Sequence, residues 1–298
     1  MVGAGTAKFG PLSLGAGFPV RIMAVINLSP ESFYGGSVAT TPGEISARVR
    51  RAVEDGADIV DIGGMSTAPY LKSEVPEEVE TARVRDALEA IADAKVTISV
   101  DTLRSAVAEV ALNHGASVIN DVSGLKNDPR MAGVVKDHGA SLLAMAHSSR
   151  LSSSRPILQI RRALKESMRI AESAGIDVQR IALDPGIGFF KDEGAGRAFS
   201  PQRLMSWEEW DCDVLANLMT LETLQRPLCI GVSRKSFLGK IAKVKTPAER
   251  LSASLAATAI AVMNGADLIR THDVSETLQA VRVAEAIRRR GPRATRAS

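Results

Sequence analysis

Two cysteines, Cys212 and Cys229, are the only thiols in 298 residues. That excludes a disulfide framework and a multi-cysteine metal site, and makes the cytoplasm the expected compartment. The four histidines have no zinc-ligand spacing, alone or with the cysteines. No apolar run reaches the ~18–20 residues of a membrane span. The longest candidate, Ala253–Val262, is alanine-rich and continues a helical pattern, so a packed helix is expected. The N-terminus does not lead from a basic start into a long apolar stretch, as a signal peptide would. Acids are missing from the last eleven residues, which hold five arginines. Removing those five turns the formal charge from +3 to −2. The pI of 8.9 therefore does not mark the globular part as a nucleic-acid binder. The tail, 288–298, is expected to be basic, solvated and disordered, and neither nucleic acid nor membrane is expected as a partner.

What the chain does have is eight short apolar runs, each followed by polar chemistry. They are Arg21–Asn27, Asp58–Gly64, Thr97–Asp101, Ser117–Asp121, Ser141–His147, Arg180–Asp184, Leu228–Arg234 and Asp267–His272. Runs apolar on both faces read as buried parallel strands. Amphipathic helices are expected between them, over Glu44–Asp55, Pro76–Ala92, Ser105–His114, Met131–His138, Ile157–Ala174, Ala248–Asn264 and Ser275–Arg289. Thr41-Pro42-Gly43-Glu44, Thr246-Pro247-Ala248-Glu249 and Asp273-Val274-Ser275-Glu276 read as helix starts. A short helix is expected in the longer connection Gly194–Asp213, whose Trp207 and Trp210 read as core or interface residues. The pattern predicts an α/β fold, a single (β/α)₈ TIM barrel over residues 21–287, after an N-terminal extension, 1–20.

In such a barrel the carboxyl ends of the strands ring one pocket. Asn27, Asp61, Asp101, Asn120, His147, Asp184, Lys235, Arg270 and His272 would converge there. Asp101, Asn120 and Asp184 suit a planar heterocycle with N–H and NH₂ edges, such as a pterin or guanine. Lys235, Arg270 and His272 come from the last two strands, where barrels usually bind phosphate. Asn27 and Thr67 offer oxygen ligands for Mg²⁺ on a diphosphate. Asp61 and Asp121 read equally as site or support, Arg234 as a scaffold ion pair, and His114 and His138 as residues of helix ends.

Four motifs carry a resemblance: Asn27-Leu28-Ser29-Pro30-Glu31-Ser32-Phe33, Asp184-Pro185-Gly186-Ile187-Gly188-Phe189, Ser233-Arg234-Lys235-Ser236-Phe237 and Arg270-Thr271-His272-Asp273. In this order and spacing, the stretch from Arg21 to Ile287 resembles the dihydropteroate synthases of the pterin-binding barrel family. The resemblance implies attack of p-aminobenzoate on the methylene of (7,8-dihydropterin-6-yl)methyl diphosphate, with loss of diphosphate. It implies pterin contacts at Asp101, Asn120, Asp184 and Lys235, and a diphosphate site at Thr67, Arg270, Thr271 and His272, with Mg²⁺ at Asn27. It also implies p-aminobenzoate near Phe190 and Ser236, catalysis resting on Lys235, Arg270 and His272, and a homodimer through the last two helices. The chain departs from the family at Met65 and Ala68, where Glu and Arg are common. Its first loop, Phe33-Tyr34-Gly35-Gly36, lacks the usual aspartate. Two rival readings follow: a pterin-dependent methyltransferase, disfavoured by the anion-binding set, and a catalytically silent pterin-binding paralogue.

Overall fold

A computed structural model describes residues 5–29, 38–66, 75–147, 155–189 and 205–290. It opens on an antiparallel hairpin, β1 (Thr6–Phe9) and β2 (Leu12–Gly15), which was not among the elements expected from the sequence. Eight parallel strands follow: β3 (Arg21–Asn27), β4 (Ile59–Gly63), β5 (Thr97–Asp101), β6 (Val118–Asp121), β7 (Ser141–Met145), β8 (Ile181–Asp184), β9 (Cys229–Ile230) and β10 (Leu268–Thr271). Their order is β8-β7-β6-β5-β4-β3-β10-β9. A parallel bridge between Leu183 and Leu228 brings the two outermost strands together. The sheet is the expected eight-stranded barrel.

Helices alternate with the strands: α1 (Pro42–Glu54), α2 (Glu77–Ala90), α3 (Ser105–Asn113), α4 (Met131–Asp137), α5 (Pro156–Ser173), α6 (Trp207–Ala216), α7 (Ser236–Ala242), α8 (Leu251–Met263) and α9 (Val274–Arg288). At α1 the expected capping box forms: Glu44 N–H donates to Thr41 Oγ1 at 3.3 Å, and Thr41 N–H donates to Glu44 Oε2 at 3.1 Å. Thr246 and Glu249 form the same box, but it opens a 3₁₀ turn, Pro247–Arg250, that leads into α8. Asp273 departs from the pattern. It makes no side-chain cap on α9, because its carboxylate is taken by Arg234, at 2.9 Å from Nε and 2.7 Å from Nη2. A bidentate pair with a guanidinium outweighs a single backbone N–H at a helix end. The run Leu228–Arg234 yields only the two residues of β9, since the chain turns at Arg234 (φ +56°) and enters α7.

The pleat sends successive side chains to opposite sides of each strand. Met23, Ile59, Val118, Leu143, Ala182, Cys229 and Leu268 point inward at the base of the barrel, where Phe9 and Leu14 of the hairpin pack on them. Burying two such side chains stabilises the fold by roughly 1.5–3 kcal/mol each. The alternate residues, such as Ile22, Val60, Ile98, Ile119, Leu142 and Ile269, point outward and pack beneath the helices. Trp210 is buried in that shell, as expected, and Trp207 packs against it beneath the Lys240 ammonium.

Candidate active site

Two residues further along four of these strands, the same inward face carries polar groups: Asp61, Asn120, Asp184 and Arg270. Register places Asn27 beside Gly63, Gly63 beside Asp101, and Asp101 beside Asn120, all at one level. Gly63 leaves a gap there: a Cβ on it would lie 3.9 Å from both Asn27 Oδ1 and Asp101 Cβ. Asp61 sits one layer lower, beside Ser99. Arg270 starts lower still, beside Met23, and its long side chain reaches up across the barrel.

The centre of this layer is an ion cluster. Arg270 Nε donates to Asp61 Oδ2 at 2.7 Å, and Nη2 donates to Asp101 Oδ2 at 3.0 Å. Asp61 also accepts from Asn120 Nδ2 at 3.0 Å and from Ser99 Oγ at 2.6 Å. Asp61, Asp101 and Asn120 are buried. Burial pushes the Asp101 carboxyl up to about 7, with Arg270 opposing and Asp61 adding to the rise. Burial alone would loosen the proton on Arg270, but Asp61 and Asp101 outweigh it and hold that proton more tightly than usual. Asp61 is a residue that sequence reasoning left undecided; the structure makes it the hub of the cluster.

Asp184 ends β8, where Oδ1 accepts the Gly186 N–H at 2.7 Å. Burial raises its pKa, against the pull of Lys235. Lys235 follows the turn after β9. Its Nζ donates to the Ile187 carbonyl and lies 4.7 Å from the centre of the Phe189 ring. Burial lowers its pKa to about 8, with Asp184 and Asp211 opposing. Asp211, on α6, accepts the Gly188 N–H at 2.8 Å and is a residue that sequence reasoning missed.

His272 lies one inward position beyond Arg270, with Nδ1 3.0 Å from Ser233 Oγ. Burial and then the neighbouring Arg270, Arg234 and Lys235 push its pKa down to about 3, so the ring is neutral at pH 7. The expected cationic trio is therefore two cations and a neutral imidazole. Thr271 does not join the group. It sits between Arg270 and His272, so the pleat turns it outward, where its hydroxyl meets Thr277 Oγ1 at 2.9 Å and accepts from Asp273 N–H at 3.1 Å. Asp121 also faces outward and holds the next turn through the N–H groups of Ser123 and Leu125 at 2.7 and 2.9 Å. Asn27 ends β3, half-buried at the mouth, and Ser236 opens α7 directly after Lys235. Arg234 is the scaffold ion pair described above. His147 is exposed at the end of the β7 run. Thr67, Ala68, Tyr34 and Phe190 lie outside the described residues, whereas Met65 is buried next to Gly64. Among the described residues no group of three or more His, Cys, Asp or Glu side chains could hold a metal ion.

Known proteins match this chain over nearly its whole length. The family described as pterin binding enzyme matches residues 23–272. The dihydropteroate synthase of Bacillus subtilis (strain 168) is 32% identical over 271 residues, which is 91% of this chain and 89% of that one. That of Escherichia coli (strain K12) is 34% identical over 274 residues, covering 89% and 91%. A structure of Xanthomonas albilineans dihydropteroate synthase with 4-aminobenzoic acid aligns with a TM-score of 0.82 at 32% identity, covering 97% of this chain and 100% of that chain. A second structure from that organism, in complex with 7,8-dihydropteroate, aligns at 0.79 with 31% identity, covering 96% and 100%.

Proposed function

We infer the roles of these side chains from one premise: the chain belongs to the pterin-binding enzyme family and carries out the dihydropteroate synthase reaction. In that reaction the amine nitrogen of p-aminobenzoate bonds to the methylene carbon of the pterin diphosphate. The carbon–oxygen bond breaks, diphosphate leaves with the electron pair, and the new secondary amine loses a proton. The observation that carries the residue-level reading is the buried Asp61, Asp101 and Asn120 joined to the half-buried Arg270, with Asp184 and Lys235 beside them. It presents acceptors, an amide and a cation at close quarters, which is what the N–H-rich and carbonyl edges of a pterin require. Asp101 and Asp184 receive the ring's N–H and NH₂ groups. Asn120 and Lys235 meet its acceptor atoms.

Arg270 has donors beyond the two used on Asp61 and Asp101, and these face the departing diphosphate. His272, being neutral, donates a single N–H there without repelling Arg270. Catalysis rests on stabilising charge that grows on the leaving group, since a neutral aromatic amine needs no strong base. Asn27 fits a magnesium ion as one neutral oxygen ligand, a donor set that suits an ion held mainly by diphosphate oxygens and water. When bound, the ion neutralises part of the leaving group's charge. The second-substrate mouth includes Ser236 and Met65.

We place the protein in the cytoplasm; among the described residues no helix is long and apolar enough to cross a membrane. We assign it a homodimer through α8 and α9, whose Ile260, Met263, Val283 and Ile287 are 41–60% exposed. A diphosphate-release assay with and without p-aminobenzoate tests the function. Release that requires the arylamine, with dihydropteroate formed, is expected. Pterin binding without turnover would establish the silent paralogue instead.

A further inference from the structure

The loop after β8 places one peptide unit between two charged side chains. Lys235 Nζ donates to the Ile187 carbonyl, and Asp211 Oδ1 accepts the Gly188 N–H at 2.8 Å. That carbonyl and that N–H belong to the same rigid, planar amide. Gly188 has φ +83°, and a Cβ on it would lie 2.7 Å from Lys235 Cδ, so the lysine stem rests directly on this backbone. Asp211 is 2% exposed. A carboxylate so placed is costly unless its charge is answered. A carboxylate on the N–H end of an amide also polarises it and strengthens its carbonyl as an acceptor.

Titratable groups reach Lys235 from four elements: Asp184 on β8, Asp211 on α6, Cys229 on β9, and Arg270 and His272 at β10. Arg270 is a cation, while His272 and the buried Cys229 thiol are neutral at pH 7. Asp184 and Asp211 are thus the two acids that favour the charged lysine. Asp184 faces the pocket, where a substrate donor would engage it. Asp211 instead meets the N–H end of the peptide whose carbonyl end meets the lysine.

We propose that Asp211 is a positioning residue for Lys235: it holds the Ile187–Gly188 peptide on which the ammonium rests and sets a carboxylate behind it. This rests on reading Lys235 as a pterin contact. The test compares pH profiles of kcat/KM for the pterin diphosphate in the full chain and in Asp211→Asn, Asp211→Ala and Lys235→Met. Asp211→Asn keeps an oxygen for the Gly188 N–H and loses the charge. Its alkaline limb is expected to move down by about one pH unit, the usual size of a nearby-charge effect. The KM for p-aminobenzoate should not change. Asp211→Ala loses both contributions: its alkaline limb is expected to move down as in the asparagine variant, and its plateau kcat/KM to fall by a further factor of about ten, as for a displaced substrate contact. Should the alanine variant not fold, the asparagine variant and an NMR titration of ¹³C-methylated Lys235 in it decide the matter. A profile and a titration of Asp211→Asn that superimpose on the parent's would overturn the proposal. If Lys235→Met leaves the alkaline limb in place, the reading of Lys235 itself fails and takes the proposal with it.

Discussion

Replacing Asp61 should be the most damaging single change in the pocket, for stability before catalysis. Its carboxylate accepts three hydrogen bonds, from Ser99 at 2.6 Å, Arg270 at 2.7 Å and Asn120 at 3.0 Å, with no solvent exposure. Asp61→Ala leaves Arg270 with Asp101 alone. Breaking one side of a buried ion pair typically costs about 3–5 kcal/mol. The Arg270 side chain is 23% exposed, so water relieves part of that penalty. The lower end, about 3 kcal/mol, is expected. In a chain of this length each kcal/mol lowers Tm by roughly 2 °C, so the variant should melt about 6 °C below the parent. Asp61→Asn should cost somewhat less, since one oxygen survives for Ser99 while the amide NH₂ opposes another donor. The double variant Asp61→Ala with Arg270→Met removes both charges and should recover about 1–2 kcal/mol relative to additivity. Thermal melts of the parent, Asp61→Ala, Asp61→Asn, Arg270→Met and the double variant measure this. A melting temperature for Asp61→Ala within about 1 °C of the parent, or strict additivity in the double variant, would refute the reasoning.

Four further outcomes are expected. Asp101, pushed up to about 7 by burial, holds in the folded state a proton that the unfolded chain releases near 3.8, so its share of stability is full below that pH and is lost as pH rises through 7. The Tm gap between the parent and Asp101→Asn should therefore widen in the parent's favour as pH falls from 7 to 4; a constant gap contradicts this. His272, held neutral down to about 3, should show no chemical-shift titration between pH 5 and 8 in the free protein, with the His272→Gln variant serving as the assignment control; a midpoint near 6.5 would exclude the burial described for it. Gly188→Ala should displace the Lys235 stem and lower kcat/KM for the pterin diphosphate about 10–100-fold, as misplaced contacts do, with steady-state kinetics as the readout. Arg234→Met should remove the Asp273 pair and the bonds to Pro247 and Ala248, and lower stability by about 3–5 kcal/mol in a thermal melt.

The strands were legible because their chemistry is local. Arg21–Asn27 and Thr97–Asp101 fold over the expected residues, since an apolar run buried on both faces has no other stable place in a chain of this kind. The parity of the pleat was legible too, and it would have separated the members of the site. Thr271 alternates with Arg270 and His272, and Asp121 follows Asn120, so each had to face away from the pocket. Asp61 shares its inward parity with Gly63 and should have ranked above Asp121 on that ground alone. The short β9 was harder to foresee, because the turn at Arg234 depends on Asp273, Pro247 and Ser254 holding that residue from elsewhere in the chain.

The barrel, the capping boxes at Thr41 and Thr246, and the polar residues that end the strands can all be read from the order of residues. Those follow from periodicity, capping and the alternation of the pleat, all set within a few residues. Which charges meet is set by the folded chain. Arg270 reaches Asp61 across 209 positions of sequence, and Asp211 reaches the peptide behind Lys235 from another helix. Burial and neighbouring charges together set how those groups ionise: Asp101 near neutrality, Lys235 close to it, His272 far below it. Desolvation and Coulomb energies depend on distance in space and on the exclusion of water, neither of which is a property of a residue's neighbours along the chain.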